Sequence, residues 1–375
     1  MKVTVRQVSN KRELRQFVRF PNLLYKDNPY YVPQLEQADL EALDPKRNHA
    51  FEVCEACYWM AFNEDGKAVG RIAGIVNHAY NAKTGLKQAR FSYLDFIDDN
   101  DVVDALFSSL ETWARSKGMT VLSGPEGFLE FDVAGVLVEG YDKLPTAYGK
   151  YNHPYYETQM LRCGFVKQMD WIESVITRPD ELPAAYEKAL RIVPERTGLK
   201  LMSVKSKKEL KPYIPQVFNL MNRAYSKISG YSELTQGQKD DLLKQFIPNV
   251  NLDFFRFMLN PQGQMVAFCI WMPSLSKALQ KCHGRLFPFG FIHILHALRH
   301  NDRMDTLLVG VDEEYRNMGL YAVMFASMWP GLEKMGIRYL ETTRELEDNN
   351  GVKNLMNRFE YETVKRARCY TKPIR

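Results

Sequence analysis

Apolar residues recur at three- and four-residue steps beyond Gly319, where Tyr321, Met324, Phe325, Met328, Leu332 and Met335 share one helix face. Ahead of them Leu307-Leu308-Val309-Gly310-Val311 is a continuous apolar run of strand length, and Asp312-Glu313-Glu314-Tyr315-Arg316 is mostly charged. The pattern predicts a buried strand, a tight turn and a helix. Alternation over Val3 to Val8 predicts a first strand, and Asn10-x-x-Glu13 after it is a helix start of capping-box type. Tyr58 to Phe62, the turn Asn63-Glu64-Asp65-Gly66 and Ala68 to Val76 predict a β-hairpin.

The same plan then returns. Leu199 to Val204 leads into the capping box Ser206-x-x-Glu209, so that Glu13-Leu14 recurs as Glu209-Leu210, 196 positions on. A second hairpin, Phe254 to Leu259 and Met265 to Trp271 around Asn260-Pro261-Gln262-Gly263, sets Gly66 against Gly263 at 197. Trp113 to Leu122 is similar to Gly331 to Leu340, but Gly118 now matches Gly336 at 218, so the second copy has gained about twenty residues between Trp271 and Thr306. Gly164-Phe165 against Glu360-Tyr361 restores 196, which places an extra segment of the first copy within Gly124 to Tyr155. Each half reads strand, helices, hairpin, strand, helix, strand, helix, strand. The late alternation predicts a parallel pair joined by a crossover helix. The expected fold class is therefore α/β (α+β), with two mixed central sheets flanked by helices. Residues 1–178 and 185–375 form the two domains, Arg178 to Pro183 the link, and about 273–304 a helical insert in the second domain.

A turn that opens a helix presents unpaired amides and the positive end of the macrodipole, which attract an anion. Gly319 permits a close backbone approach or a positive φ, and Arg316 adds charge, so a phosphate-bearing ligand suits this turn. Val311-x-x-x-x-Arg316-x-x-Gly319-x-Tyr321 resembles the Arg/Gln-x-x-Gly-x-Gly/Ala signature of the GCN5-related N-acetyltransferase (GNAT) superfamily. The element order resembles that fold along essentially the whole of both halves, as in bacterial two-domain members of the superfamily. The resemblance implies a tandem acyl-CoA N-acyltransferase fold in which the loop holds the pyrophosphate of acetyl-CoA or another acyl-CoA. The residues it puts at the coenzyme are Val309, Val311, Arg316, Asn317, Met318, Gly319, Leu320, Tyr321 and Asn349, the last also readable as a plain helix N-cap. Two departures stand out. Tyr321 replaces a small residue and must turn away from the ligand. Met356 stands where the family often has a Tyr that reprotonates the coenzyme thiolate, which leaves Tyr361, Tyr370 or water for that task.

Glu313, Glu314 and Glu341, at strand ends, are the candidate bases for an attacking amine, although acids at such positions are usually solvated turn residues. The first copy differs at the decisive place. Its strand Phe91 to Phe96 enters Ile97-Asp98-Asp99-Asn100-Asp101, without Arg, Gln or Gly. Carboxylates there stabilise the helix but repel a pyrophosphate, so this half is expected to be degenerate for the coenzyme.

Two inserts remain. Pro273 to Met304 is expected to be a helical hairpin with an aromatic elbow, Phe287-Pro288-Phe289-Gly290-Phe291; it suits a lid, a membrane surface or packing against the first domain. Ser123 to Asp132 and its continuation to Tyr156, rich in Gly, carboxylates and aromatics, suits an acceptor pocket or a plain surface loop.

Composition narrows the function classes. A net charge of +5 on 375 residues, with scattered Lys and Arg, gives no basic patch for nucleic acid, and no apolar run has the length of an integral membrane segment. Met1 to Arg6 lacks a signal-peptide core, so a cytoplasmic location is expected. Cys54-x-x-Cys57 has no second ligand pair, and the histidines of the insert offer no shared ligand face, so no metal is expected. The function expected is acyl transfer from acyl-CoA to an amine, with a small-molecule amine or a lipid-like acceptor as partner. The alternatives are a non-catalytic ligand-binding or scaffold protein of the same fold and a lipid-directed acyltransferase.

Overall fold

The computed structural model describes residues 2–226, 228, 230–248, 250–348, 356 and 358–374. Among them the first half runs β1 (Thr4–Gln7), α1 (Lys11–Leu24), α2 (Glu36–Ala42), β2 (Cys54–Phe62), β3 (Ala68–Asn77), α3 (His78–Thr84), β4 (Gln88–Phe96), α4 (Asn100–Ser116), β5 (Val121–Gly124), β6 (Val136–Glu139), α5 (Tyr155–Arg162) and β7 (Val166–Thr177). The second half begins α6 (Ala184–Thr197), β8 (Lys200–Met202), α7 (Lys207–Leu210), α8 (Ile214–Tyr225), α9 (Gln236–Phe246), β9 (Phe255–Leu259) and β10 (Met265–Pro273). It continues α10 (Ser276–Cys282), α11 (Gly290–Ala297), β11 (Arg303–Val311), α12 (Leu320–Met335), β12 (Tyr339–Thr342), β13 (Glu345–Leu346) and β14 (Tyr361–Pro373).

Local chemistry sets these boundaries. Asn10 caps α1 by accepting from the amides of Arg12 and Glu13, and Ser206 caps α7 by accepting from the Glu209 amide. Both hairpin turns close on a glycine with positive φ, Gly66 at +75° and Gly263 at +78°. The crossover helices bury the faces their periodicity marks. Val103, Leu106, Phe107 and Leu110 of α4 enter the first core, and Met324, Phe325, Met328 and Leu332 of α12 the second.

The strand order is β1-β2-β3-β4-β5-β14-β7-β12-β11-β10-β9-β8, with β6 beside β14 and β13 beside β7. The two expected sheets are thus fused into one, because the final strand of each half completes the other. β14 pairs with β5 of the first half (Tyr370 with Gly124, Lys372 with Leu122), and β7 pairs with β12 of the second (Tyr339 with Thr177, Glu341 with Val175). The two exchanged strands also pair with each other from Tyr361 to Thr371. The cores follow the exchange. Tyr370 and Ile374 are buried among first-half residues, and Ile176 among second-half residues.

Both inserts join the halves. Leu279 and Cys282 of α10 pack on Val32 and Ala147, Gln280 donates to the carbonyls of Pro29 and Tyr31, and Ser276 donates to that of Pro145. From the first half, Phe131 packs its ring against Tyr225 and Tyr231. No helix among the described residues is long and apolar enough to cross a membrane.

Candidate active site

β11 and β12 pair in parallel only from Arg303 with Tyr339 to Thr306 with Thr342. Beyond that point β11 continues beside β10, while the chain after β12 leaves for β13, which pairs with β7. A bulge between Ile270 and Trp271 shifts the β10–β11 register and bends the pair. The sheet therefore opens into a notch with Thr306 and Thr342 at its apex. The Thr343 hydroxyl bridges the carbonyls of Thr306 and Leu307, and Val309, whose carbonyl accepts from the Tyr225 hydroxyl at 2.9 Å, lies on the open edge.

The first half opens the same way, since β4 and β5 pair only from Gln88 to Arg90. There the protein fills its own notch. The Phe91 carbonyl accepts from the Glu126 amide, that of Leu94 from Lys150 Nζ at 2.7 Å, and that of Phe96 from the Tyr155 hydroxyl at 2.6 Å. The Phe96 amide donates to the Tyr156 hydroxyl.

The helices beside the two notches differ in the same sense. Asp99 caps α4, its Oδ1 accepting from the amides of Asp101 and Val102, so a carboxylate of the chain already occupies the anion position. At α12 the cap is Gly319, with φ +78° and no side chain to offer, and a Cβ there would have room, 3.5 Å from Val193. Backbone conformation rather than space makes glycine the residue of choice. The first-turn amides of Leu320, Tyr321 and Ala322 have no acceptor within the helix. Arg316, Asn317 and Met318 are exposed around them, while the amides of Arg316 and Met318 are engaged inside the turn. Leu320 buries its side chain and Tyr321 packs its ring towards Phe325 in the second core, where burial pushes its phenol well above the ordinary range. The large residue at 321 thus turns away from the amides.

Below the notch apex three carboxylates share one face of adjacent strands: Asp305 on β11, Glu341 opposite it on β12, and Glu173 on β7. Asp305 is 0% exposed and neither of its oxygens makes a well-formed hydrogen bond. Burial and then the neighbouring Glu341 push it well above the ordinary range, only partly offset by the Ser274 hydroxyl. Burial likewise raises Glu341, against the attraction of Arg303, whose guanidinium is held close to its carboxylate and stacks on Tyr339. Burial pushes Glu173 up to about 7 and pushes Lys365, across from it on β14, down. Groups this close release protons as a set.

A cavity of about 860 Å³ reaches Glu341 from the side of the inserts, with Arg303, Tyr339 and Tyr361 on one wall and His293, His296 and His300 on the other. The residues named from the sequence are therefore dispersed. Glu341 and Tyr361 line this cavity. Glu314 lines a separate hollow of about 460 Å³ with Arg223 and Asp312, and Glu313 is exposed on the turn. Tyr370 lies apart from them, because the exchange of strands carries it into the first core, where its hydroxyl meets Glu157. Met356 is buried in the second core, and Asn349 lies outside the described residues. Cys54 and Cys57 face opposite sides of β2 and lie in different cores, and burial raises both thiols, to about 12 and about 11. Asp305 and Glu173 stand outside the candidates that sequence reasoning offers. Their signal is a lone acid inside an apolar strand, as in Met304-Asp305-Thr306-Leu307-Leu308.

No family model matches the chain. It is 28% identical over 383 residues to protein YghO of Escherichia coli strain K12, covering 99% of this chain and 95% of that one. It is 24% identical over 301 residues to the bacterial ceramide synthase of Caulobacter vibrioides, covering 79% and 77%. Among solved structures, a tandem GNAT protein from the clavulanic acid biosynthesis pathway superposes with a TM-score of 0.58 at 14% identity, covering 100% of this chain and 99% of that one. A GCN5-related N-acetyltransferase of Sphaerobacter thermophilus does so with a TM-score of 0.56 at 11% identity, covering 100% and 96%.

Proposed function

We propose that this chain, which has the tandem GNAT fold, transfers an acyl group from acyl-coenzyme A to an amine and uses its second half for the coenzyme. The observation that carries the reading is the contrast between α4, capped by Asp99, and α12, whose first-turn amides meet only Gly319. A diphosphate fits the second and is repelled by the first. The residues to hold it are Arg316, Asn317 and the amides of Leu320 and Tyr321, with the edge at Val309 and Val311 for the arm that follows, where the Tyr225 hydroxyl on the Val309 carbonyl gives way.

Coenzyme A, when bound, supplies an acyl group activated as a thioester. This chain's part is to orient it at the notch apex and to take a proton from the incoming amine. As the C–N bond forms and the C–S bond breaks, that proton passes to the Asp305–Glu341 pair. The leaving sulfur is reprotonated by water or by Tyr361. Met356 itself, buried in the second core, has no proton to donate. Holding both reactants in place supplies much of the rate, and a positioned base about 10²- to 10⁴-fold more.

A long-chain amine is the second reading for the acceptor. A ceramide carries its acyl chain on the nitrogen of a long-chain amino alcohol, and the similarity to a bacterial ceramide synthase supports an acceptor of that class. The exposed aromatic elbow beside the cavity supports it as well.

Titration calorimetry with acetyl-CoA and with a long-chain acyl-CoA tests the first reading, with Gly319→Asp measured beside the wild type. One coenzyme should bind per chain, and the substitution should weaken it by about tenfold or more, since it places a carboxylate at the anion position. No heat from the wild type would leave a fold kept for scaffolding. Thiol release with small amines and with long-chain amino alcohols then separates the two acceptor classes.

A further inference from the structure

The hairpin of α10 and α11 stands apart in both charge and exposure. From Pro261 to Asn301 the chain has no Asp or Glu, while Lys277, Lys281, Arg285, Arg299 and four of the seven histidines fall in this stretch. Four of the net positive charges on a chain of net +5 are thus gathered here. The same segment leaves large apolar side chains in water: Phe287 is 80% exposed, Phe289 71%, Ile292 52% and Leu295 48%. No residue of α11 is buried.

The helix has two working sides. His293, His296 and His300 recur at helical spacing and line the cavity that reaches Glu341. Ile294 packs on the first half, and Ile292 and Leu295, with Arg299 one turn on, face outward. α10 anchors this arrangement through Leu279, Cys282 and Gln280, so the apolar patch is presented from a fixed base. A contiguous aromatic and aliphatic patch of this kind marks an interaction surface. The segment that carries it contributes cations and no acid of its own, Arg285 being met by Glu36 of the first half, and it matches the pattern of a segment that sinks its apolar side chains to the level of lipid headgroups.

We propose that the aromatic elbow and the outer face of α11 dock the protein on an anionic lipid bilayer. Phe287, Phe289, Ile292 and Leu295 enter the headgroup boundary, and Arg299 with the exposed Lys281 meets the lipid charge. A protein partner is disfavoured by the segment's own charge, which is all of one sign from Pro261 to Asn301, and by the predominance of large apolar side chains on the patch. Docked in this way, α11 sets its outer face on the membrane and keeps its histidine side on the cavity, which, resting on the proposed acyl transfer to a lipid amine, brings the cavity that reaches Glu341 beside the bilayer. The docking itself requires neither coenzyme nor turnover.

Flotation of the full chain with vesicles of phosphatidylcholine alone, and of phosphatidylcholine mixed equally with phosphatidylglycerol, tests this. The mixed vesicles should carry the protein about tenfold more strongly, and added salt should weaken the binding. Phe287→Asp with Phe289→Asp, and separately Ile292→Asp with Leu295→Asp, should each reduce flotation about tenfold while leaving the circular dichroism spectrum and thermal midpoint unchanged, because these side chains pack on little else. Absence of flotation, equal flotation of variants and wild type, or a dimer in sedimentation that the same substitutions dissolve would each overturn the proposal.

Discussion

The Arg368 guanidinium holds Asp170 with two hydrogen bonds, Nε to Oδ1 at 2.8 Å and Nη2 to Oδ2 at 3.0 Å. The two residues face each other across β14 and β7, the strands that the halves exchange, and Lys167 and Arg366 also donate to Oδ2. Burial alone would raise the carboxyl, but these cations hold it at about 2 against an ordinary 3.8. A carboxyl depressed in the folded state stabilises the protein above the ordinary value and loses that effect as pH falls towards the folded one. Asp170→Asn should therefore cost about 2 kcal/mol at neutral pH, with the gap to the wild type closing between about pH 4 and pH 2. Urea titrations across that window measure it, and a gap that stays constant would remove the carboxylate from the account.

Asp99→Ala removes the cap of α4 and should cost about 1 kcal/mol. It should not create a second coenzyme site, because Lys150, Tyr155 and Tyr156 still fill the notch beside β4. Calorimetry of this variant should still give one coenzyme per chain. Two would show that charge alone had closed the first half.

Asp305→Asn should move stability and turnover in opposite directions. A carboxyl raised in the folded state weakens the fold as pH climbs past its unfolded value, so the amide should melt higher than the wild type at neutral pH and above. Turnover should drop about 10²-fold with coenzyme affinity unchanged. In the wild type the rate should rise with pH as the coupled Asp305–Glu341 pair releases its proton, and the variant should lose that limb. A rate equal to the wild type would direct the search to Glu173.

Tyr370→Phe should leave turnover within about threefold, since the phenol stands beside Glu157 in the first core. A larger loss would place the reacting thiol in the wrong half of the sheet.

Much of this architecture is legible in local patterns. Asn10, Ser206, Gly66 and Gly263 announce their caps and turns because each acts on neighbours within a few residues. The contrast between Asp99 and Gly319 is equally local, and it is the part of the site that the sequence conveys best. The exchange of β7 and β14 left no such trace, because an antiparallel strand of similar polarity fits beside β5 or β12 equally well and the choice is made by long-range pairing. The sequence therefore does not show that Tyr370 belongs to the first core. Asp305 is hidden in the sequence for a related reason: a single acid in a strand gains its meaning only when Glu341 arrives beside it from another segment.

The interleaving of the two halves bears on how the chain matures during synthesis. β5 waits for a neighbour that follows every other strand in translation order, so the earlier half leaves the ribosome with an unpaired flank facing solvent. A nascent chain arrested before Tyr361 would expose that flank together with the unclaimed side of β7, an invitation to intermolecular pairing. Holdase chaperones should engage such arrested chains, and completion of both modules should register as one late, cooperative event.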